Sequence, residues 1–306
     1  MQHPRAYACA RTATPPPLGN LADPAWEAAP WIDSWIGIMG GETNAKAIRA
    51  RLLWDDTGLY LGVQMQEDDL WASVTEHDGD VWQDPCFELF LDPDGDGHNY
   101  LEWEVNVIGT VLDLSMDRPY VTGGTRDDSL EVAGLAMEIM TDGPVNDPST
   151  RAGFWQVGAA IPWQALNQIG HPGSPPECGE TWRFQLMKME YPAEVADGKY
   201  RKSQTEAEKY WCFAPTLVMD IHRPWFWGYL HFAESASAQP PVDPDWDTKF
   251  ALCRAMGLDS RSRAEGPLAC GKAQLVPGMD LTTQTDGYAL AYKGWRLDSQ
   301  GRMGRI

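Results

Sequence analysis

The segment from Trp82 to Val107 shows the most regular alternation of apolar and polar residues in the chain. Its apolar positions are Phe87, Leu89, Leu91, Leu101, Trp103, Val105 and Val107. A period of two is typical of a β-strand with one buried face. Residues 93–97, Pro-Asp-Gly-Asp-Gly, are turn formers that lie between the two apolar runs. The segment is therefore predicted to be a β-hairpin.

The polar positions of this hairpin carry three carboxylates and one amide. Because side-chain direction alternates along a strand, these residues are expected on the face opposite the core. They are Glu88, Glu102, Glu104 and Asn106. Like charges on one face repel each other. Two interpretations remain open: the face is solvated and contains one internal arginine pair, or it faces a ligand, with Trp82 at its edge.

Short strands separated by turn residues are predicted along most of the first 235 residues. One short helix is expected to begin at Pro162 and to end before Gly170, because proline is tolerated in a first helical turn. Residues 194–209 are strongly charged and are predicted to be a loop. This succession predicts an all-β fold, an antiparallel β-sandwich of the jelly-roll or immunoglobulin-like kind.

Residues 236–244 are rich in alanine, serine and proline and are predicted to be a linker. The linker separates a β-sandwich domain of residues 1–235 from a C-terminal appendage of residues 245–306. The appendage is predicted to be a small α+β unit, with helical apolar spacing from Asp245 to Leu258 and a terminal hairpin that begins at Ala289. A unit of this size is expected to dock on the larger domain.

The protein is acidic, with a formal net charge of -20 over 306 residues. Such a field repels phosphate backbones and anionic lipids, so we expect no binding to nucleic acid or to membranes and favour neutral polyols or cations as partners. The 6 cysteines show no zinc or redox spacing. Most are expected to be buried thiols, and a Cys253–Cys270 disulfide stays open because it depends on the compartment.

The sequence has no signal-peptide run and no membrane-spanning run. We therefore expect a cytoplasmic protein by default, or a secreted one if a signal has been removed from the sequence. We also expect a monomer.

An ordered series of short motifs runs from residue 23 to residue 232. The motifs are Asp23-x-x-Trp26, Leu53-Trp-Asp-Asp-x-x-Leu-Tyr60, Trp82-x-x-x-x-Phe-Glu-Leu-Phe-Leu-Asp-Pro93, Tyr100 through Glu104-Val-Asn106, Ile161-Pro-Trp163, Gly179-x-x-Trp182-Arg183, Trp211-x-Phe-x-Pro215 and His222-Arg-Pro-x-x-Trp-Gly228. Through this series the chain resembles the family 9 carbohydrate-binding modules, and more closely their stand-alone relatives, which are related to DOMON domains.

The resemblance implies a β-sandwich that binds a sugar between two tryptophans, with carboxylate and amide groups bonded to its hydroxyls. It implies ligand-binding roles for Trp82, Glu88 and Asn106 in this chain. An aromatic platform with planar acceptors at its rim suits the apolar face and the hydroxyls of a sugar.

The chain departs from the family pattern at two positions of the site. Glu104 stands where the xylanase modules have an arginine, and Ile221 stands where they have the second tryptophan. Glu104 is retained as a candidate ligand residue, and Trp225 is the predicted second aromatic wall, with Trp211 as the alternative. The resemblance therefore predicts the fold of this chain, but it does not predict a specificity for cellulose or xylan.

The resemblance also implies structural calcium, for which Asp92, Asp94 and Asp96 are the candidate ligands. These residues and Gly97 resemble the opening of a calcium loop, but Trp103 stands where an EF-hand has its bidentate glutamate. The alternative is that the three aspartates only form the hairpin turn.

The expected function is non-catalytic binding of an oligo- or polysaccharide in carbohydrate catabolism. Glu102 and Glu104 lie about 7 Å apart if they are two residues apart on a strand, a separation that inverting glycosidases use. Any two glutamates two residues apart on a strand have this separation, so it does not indicate catalysis and we expect no hydrolysis. If the chain contributes to an enzyme activity, we expect it to be an accessory module of a glycoside hydrolase.

Two other function classes stay open. DOMON domains bind b-type haem through methionine, histidine or lysine, and the candidate axial ligands are His222, Met219, Met187, Lys188 and Met189. The other class is a structural or interaction module without a sugar ligand.

Overall fold

The computed structural model describes residues 5–41, 43 and 46–238, together with three short strands near the C-terminus. No helix in these regions is long and apolar enough to cross a membrane. Apart from residues 236–238 and the three strands, the predicted linker and appendage lie outside the described residues. The predicted Asp245–Leu258 helix and the Cys253–Cys270 pair lie there too.

The described chain consists mainly of short strands, as the sequence predicts. The strands are β1 (Ala6–Arg11), β2 (Ile36–Gly37), β3 (Ile48–Trp54), β4 (Gly58–Gln66), β5 (Cys86–Asp92), β6 (Tyr100–Asn106), β7 (Val111–Met116), β8 (Arg126–Asp127), β9 (Ala136–Thr141), β10 (Phe154–Pro162), β11 (Thr181–Glu190), β12 (Ala193–Ala196), β13 (Lys199–Lys202), β14 (Lys209–Cys212), β15 (Gly228–Ala233), β16 (Leu290–Tyr292), β17 (Trp295–Leu297) and β18 (Met303–Arg305). Single turns of 3₁₀-helix span Pro24–Trp26, Val81–Gln83, Tyr120–Thr122 and Pro224–Phe226, and a longer one spans Trp163–Ile169. The all-β class is confirmed.

Thirteen of the strands form one hydrogen-bonded sheet in the order β8-β7-β6-β5-β11-β15-β1-β3-β4-β10-β9, with β14 paired to β11 and to β2. Most neighbours are antiparallel, but β1 is parallel to both β15 and β3. The expectation of a purely antiparallel sheet is therefore wrong. The two-layer sandwich of jelly-roll or immunoglobulin-like type stays a prediction.

The central hairpin forms as predicted from β5 and β6. Its register pairs Glu88 with Glu104 and Cys86 with Asn106. In the turn, Gly95 and Gly97 have φ angles of 69° and 80°, a region that glycine enters without steric cost. The alternation of the sequence thus corresponds to the register of the hairpin.

Both faces of this hairpin are buried. The predicted apolar face packs into the main core with strands β3, β4 and β10. The polar face is covered by a second cluster, in which Phe90 and Tyr100 contact Trp227 with ring centroids 5.2 and 5.1 Å apart. Every residue of β5 and β6 is consequently buried, so the interpretation of a solvated face is wrong.

Three local differences from the sequence-based prediction have physical causes. The segment predicted to be a loop, residues 194–209, overlaps the β12–β13 hairpin, a two-stranded sheet separate from the main one. The side chains of its strands are all half-buried or exposed, and charged residues are frequent in them, so no apolar period predicts the hairpin. The predicted helix after Pro162 exists as the 3₁₀-helix Trp163–Ile169, which ends at Gly170 with a φ of 81°. Strand β1 was not predicted.

The cysteines of the described region are free thiols. Cys9, Cys86 and Cys212 are buried and Cys178 is exposed. The expectation that most cysteines are buried thiols is met for three of these four.

Candidate functional site

A cavity of about 610 Å³ opens on the polar face of the central hairpin. Glu88, Glu102 and Glu104 line it and are 1%, 5% and 2% exposed, so these carboxylates lie at its bottom. Trp82 also lines it and is 42% exposed, which puts the indole at its rim. We call this site the acidic cavity. Its remaining lining side chains include Tyr120, Arg126, Met187, Met189, Tyr191, Lys202, Glu208, Tyr210, Met219, Asp220, Ile221, His222 and Arg223.

The three glutamates are arranged by the pleat of β5 and β6. Glu88 and Glu104 are directly paired across the two strands, and Glu102 lies two residues before Glu104 on the same face. The carboxyl groups of Glu102 and Glu104 are close enough to affect each other's pKa. Oε2 of Glu104 is buried and has no hydrogen-bond partner in the described structure.

Burial raises the pKa of all three carboxyls. The pKa values of Glu88 and Glu104 are raised well above the ordinary range by loss of hydration, and repulsion from neighbouring glutamates adds to both shifts. The pKa of Glu102 is raised by burial too, and the adjacent His222 partly offsets this. An aqueous carboxylate is strongly solvated, so a buried one takes up a proton or needs a cationic or hydrogen-bond-donating partner.

His222 approaches the glutamates from the opposite wall. Its Nδ1 lies 2.9 Å from the Tyr100 hydroxyl, and its Nε2 lies 3.8 Å from Oε2 of Glu102. The ring of Tyr120 packs edge-on against the imidazole at 4.6 Å between centroids. Two aromatic residues and one carboxylate therefore hold the orientation of this histidine.

The backbone of Trp82 is held by a hydrogen bond from the opposite wall. The Tyr191 hydroxyl donates to the Trp82 carbonyl oxygen at 2.7 Å. The Lys202 ammonium lies 3.6 Å from the centre of the Tyr191 ring. The backbone of the Val81–Gln83 turn is thus fixed while the indole stays accessible.

Asn106 has a structural position that uses all of its hydrogen-bonding capacity. Its amide nitrogen donates to the Val74 carbonyl at 2.9 Å and to the Asp84 carboxylate at 3.0 Å. Its amide oxygen accepts from the backbone N–H groups of Ile108 at 3.2 Å and Thr110 at 3.0 Å. A side-chain amide has two donors and two acceptor sites, so Asn106 has none left for a sugar hydroxyl. Asn106 is also absent from the cavity lining.

Three of the other predicted ligand residues line the acidic cavity, and Trp225 does not. Trp82, Glu88 and Glu104 come together in the acidic cavity, whereas Trp225 does not line it. Trp225 lies beside Arg223, 5.7 Å from the guanidinium carbon to the ring centre. Trp211, the alternative second wall, is buried and donates to Glu190.

Four of the five candidate haem ligands face the acidic cavity, and the fifth faces the other side of β11. Met187, Met189, Met219 and His222 line the acidic cavity. Lys188 points to the other face, where its ammonium lies 3.3 Å from Glu67. Both ring nitrogens of His222 already face polar groups, as described above.

The predicted calcium ligands converge in the turn of the hairpin. One oxygen from each of Asp92, Asp94 and Asp96 lies within 4.8 Å of the others. Asp92 is fully buried and accepts from the N–H groups of Gly95 and Gly97 at 3.0 and 2.9 Å. Burial and the neighbouring Asp94 raise the pKa of Asp92 well above its ordinary value.

Several cavity residues were not assigned to the site from sequence. Glu102 was placed on the correct face but was not assigned a ligand role, and His222 was considered only for haem. Tyr120, Tyr191 and Tyr210 come from segments that show no distinctive pattern. The His222-Arg-Pro motif was the one sequence signal that marked the second wall.

Comparison with known proteins gives the following similarities. The family model described as Carbohydrate-binding family 9 matches residues 43–168. No protein of curated function matches the sequence. A "putative carbohydrate-binding protein" from Bacteroides uniformis has a similar structure, with a TM-score of 0.56, 17% identity, and coverage of 74% of this chain and 99% of that chain.

A family 9 carbohydrate-binding module from Caldicellulosiruptor kristjanssonii, solved in complex with cellotriose, aligns with a TM-score of 0.48 at 17% identity, covering 78% of this chain and 100% of that one. The matched residues 43–168 include β5, β6 and the rim residue Trp82, and therefore the bottom of the acidic cavity. The family model thus matches the part of the chain that contains the central hairpin, which is less than half of the 306 residues.

Proposed function

We propose that the acidic cavity binds a carbohydrate without transforming it. The observation that carries this proposal is the combination of an exposed indole at the rim with buried carboxylates at the bottom of one cavity. A sugar ring presents an apolar C–H face that stacks on an indole, and its hydroxyls donate hydrogen bonds to carboxylates. A volume of about 610 Å³ lies within the range of small-molecule sites.

The similarity of residues 43–168 to the model of carbohydrate-binding family 9 supports the same ligand class. In this proposal Trp82 is the stacking platform, and Glu88 and Glu104 accept hydroxyl hydrogen bonds. Asn106 is left out because its hydrogen bonds are all internal. Tyr120 and Tyr210 are the aromatic walls in place of Trp225. The finer role, binding an oligo- or polysaccharide in carbohydrate catabolism, is part of the proposal and is tested with oligomers of increasing length.

The geometry of the carboxylates supports binding without hydrolysis. Glycosidases hold their two catalytic carboxyls about 5 Å or more apart, on either side of the bond that breaks. Glu102 and Glu104 instead lie two residues apart on β6 and project from one face of that strand.

Replacing Trp82 by alanine is expected to weaken sugar binding by about 1 to 3 kcal/mol, roughly 5- to 150-fold in Kd, because the apolar stacking surface is lost. Isothermal titration with cellobiose and longer oligomers measures this change. The matched control is Trp31→Ala, which removes a half-buried tryptophan that does not line the cavity and should leave Kd unchanged.

Equal binding by wild type and Trp82→Ala would contradict the assignment of the site. The absorption spectrum of the purified protein serves as the control for the haem alternative. A Soret band at stoichiometric intensity would replace the sugar proposal by haem binding.

We also propose that Asp92, Asp94 and Asp96 hold a structural calcium ion. The donor set fits, because carboxylate oxygens are the ligands that calcium prefers and these three converge within 4.8 Å. A cation there would offset the burial and the repulsion that act on Asp92. Its contribution would be to hold the turn between β5 and β6.

Removing calcium with a chelator is expected to lower the melting temperature. A ligand present at 100 times its Kd stabilises the folded state by about 2.7 kcal/mol, which corresponds to roughly 5 to 10 °C for a domain of this size. Asp94→Asn should abolish the chelator effect. An unchanged melting temperature, together with no calcium found by mass spectrometry, would exclude the ion.

A further inference from the structure

The lysine and arginine side chains that line the acidic cavity are already paired with acids other than the three glutamates. The pairs are Lys202–Glu208 at 2.6 Å, Arg223–Asp220 at 3.1 Å and Arg126–Asp128 at 3.0 Å. These pairs balance each other in charge, so they supply no net positive charge to the bottom of the cavity.

Glu88, Glu102 and Glu104 form no ion pair with a lysine or arginine in the described part of the chain. Arg126 acts on Glu102 and Glu104, and Lys188 acts on Glu88, only at longer range. Among the described residues, the basic group that comes within 4 Å of one of these carboxylates is His222, whose Nε2 lies 3.8 Å from Glu102. The cavity therefore combines three buried acceptor groups with at most one adjacent cation.

Glu104 marks the position where a donor is missing. It is 2% exposed, it lines the cavity, and its Oε2 has no hydrogen-bond partner among the described residues. A buried oxygen without a donor destabilises the protein. Glu88 is its cross-strand partner, and one carboxylate oxygen of each lies within 4.8 Å of the other. A nitrogen placed at about 2.8 Å from each oxygen fits such a gap.

Resting on the carbohydrate-binding function proposed above, we propose that this cavity selects a sugar that carries a protonated amine. The ammonium group of a 2-amino sugar lies between Glu88 and Glu104 and donates to both, including to the unpartnered Oε2 of Glu104. The sugar ring then extends toward Trp82 at the rim and stacks on the indole.

The chemistry distinguishes an amine from the other groups of a sugar. An ammonium has three donors and a positive charge, so its hydrogen bonds to carboxylates are about twice as strong as those of a neutral donor. A hydroxyl has one donor and no charge. An N-acetyl group is neutral, has one donor and is larger, so it neither neutralises the glutamates nor fits the same gap.

The test compares three disaccharides that differ at one substituent: β-1,4-linked glucosamine, cellobiose and β-1,4-linked N-acetylglucosamine. Isothermal titration is done at about pH 6.5, below the ordinary pKa of an α-amino group, with chelator present so that no metal mediates binding. The glucosamine disaccharide is expected to bind at least about tenfold more tightly than the other two.

Glu88→Gln and Glu104→Gln should each remove most of this preference, measured as the ratio of the Kd for cellobiose to the Kd for the glucosamine disaccharide, because both sugars lose the same hydroxyl contacts in these variants. The matched control is Asp113→Asn, because Asp113 is 2% exposed, lies on β7 and does not line the acidic cavity. This variant should keep the preference. Circular dichroism confirms that each variant is folded.

The outcomes separate the two proposals. If glucosamine and glucose disaccharides bind equally well, the amine selectivity is wrong and the carbohydrate-binding function stands. If no sugar binds, both are wrong. If the preference persists in Glu88→Gln and Glu104→Gln, the amine is recognised elsewhere through the acidic surface, and the proposed position of the ammonium is wrong.

Discussion

Glu104→Gln is expected to make the protein more stable at about pH 8 while changing its stability little near pH 4. Glutamine keeps the shape of the side chain and can donate a hydrogen bond, but it has no charge to bury. The folded-state pKa of Glu104 is raised above its ordinary value of 4.5 by burial and by the neighbouring glutamates. A group with a raised pKa gives stability that is fully present below the ordinary pKa and is lost as the pH rises through the folded-state pKa.

In the wild type, the free energy of unfolding should therefore fall as the pH rises above about 4.5, and Glu104→Gln should flatten this decline. Each unit by which the pKa is raised corresponds to about 1.4 kcal/mol, so a gain of at least that size is expected at the alkaline end. Urea unfolding at several pH values measures it, since the midpoint shift at constant slope gives the change in stability.

Glu190→Gln is the control of opposite sign. Burial works against ionisation of Glu190, but the hydrogen bond from Trp211 and the charge of Lys46 outweigh it, and its pKa is lowered. Its carboxylate contributes stability above the ordinary pKa, so this variant should be less stable at neutral pH. A Glu104→Gln protein that is less stable than wild type at pH 8 would show that Glu104 is ionised and paired in the folded protein.

Asn106→Ala is expected to destabilise the protein by about 3 to 5 kcal/mol. The substitution removes a buried side chain that makes four hydrogen bonds, and its former partners are left buried without a hydrogen bond from this side chain. The partners include the Val74 carbonyl and the buried Asp84 carboxylate. For a domain of this size the melting temperature should fall by roughly 10 °C. Asn20→Ala, an exposed asparagine with one backbone contact, should cost less than about 1 kcal/mol.

Asn106→Asp separates the hydrogen bonds from the shape of the side chain. It replaces the amide donor by a second carboxylate 3.0 Å from Asp84, and repulsion in a buried site is strong. This variant should be destabilised at neutral pH and partly recovered as the pH falls. If Asn106→Ala instead melts like wild type and loses sugar binding, Asn106 is a ligand residue and the structural interpretation is wrong.

The buried glutamates of the acidic cavity lower the free energy of unfolding, and the comparison of Glu104→Gln with wild type measures this loss. Three carboxylates at the bottom of one cavity lower the stability at neutral pH, whereas Asp84 contributes to folding because four donors from Ser73, Val74 and Asn106 satisfy it. Residues that destabilise a fold are commonly kept for function. The contrast between the two kinds of buried carboxylate distinguishes the site from the scaffold.

The central hairpin was predictable because its information is local. The alternation from Phe87 to Val107 specifies which side chains share a face, and the turn residues between the strands specify where the chain reverses. The motif series that begins at Asp23 indicated the resemblance that the family model finds over residues 43–168, and it predicted that Trp82 and Glu88 belong to one site; both line the acidic cavity. These features depend on neighbours within a few residues along the chain.

The tertiary structure decided what each face meets. The alternation of side chains along a strand predicts that Glu88, Glu104 and Asn106 lie on the same face. The groups that contact this face come from residues 74–84 and 220–223, which are distant in sequence. Asn106 has a structural role because its amide nitrogen donates to the Val74 carbonyl and to the Asp84 carboxylate. Oε2 of Glu104 is a buried acceptor without a partner, because no donor of the described residues lies within hydrogen-bond distance of it. Strand β1 likewise pairs with strands more than 40 and more than 200 residues away. Side-chain direction is a local property of the backbone, whereas burial and hydrogen-bond partners depend on the packing of distant segments.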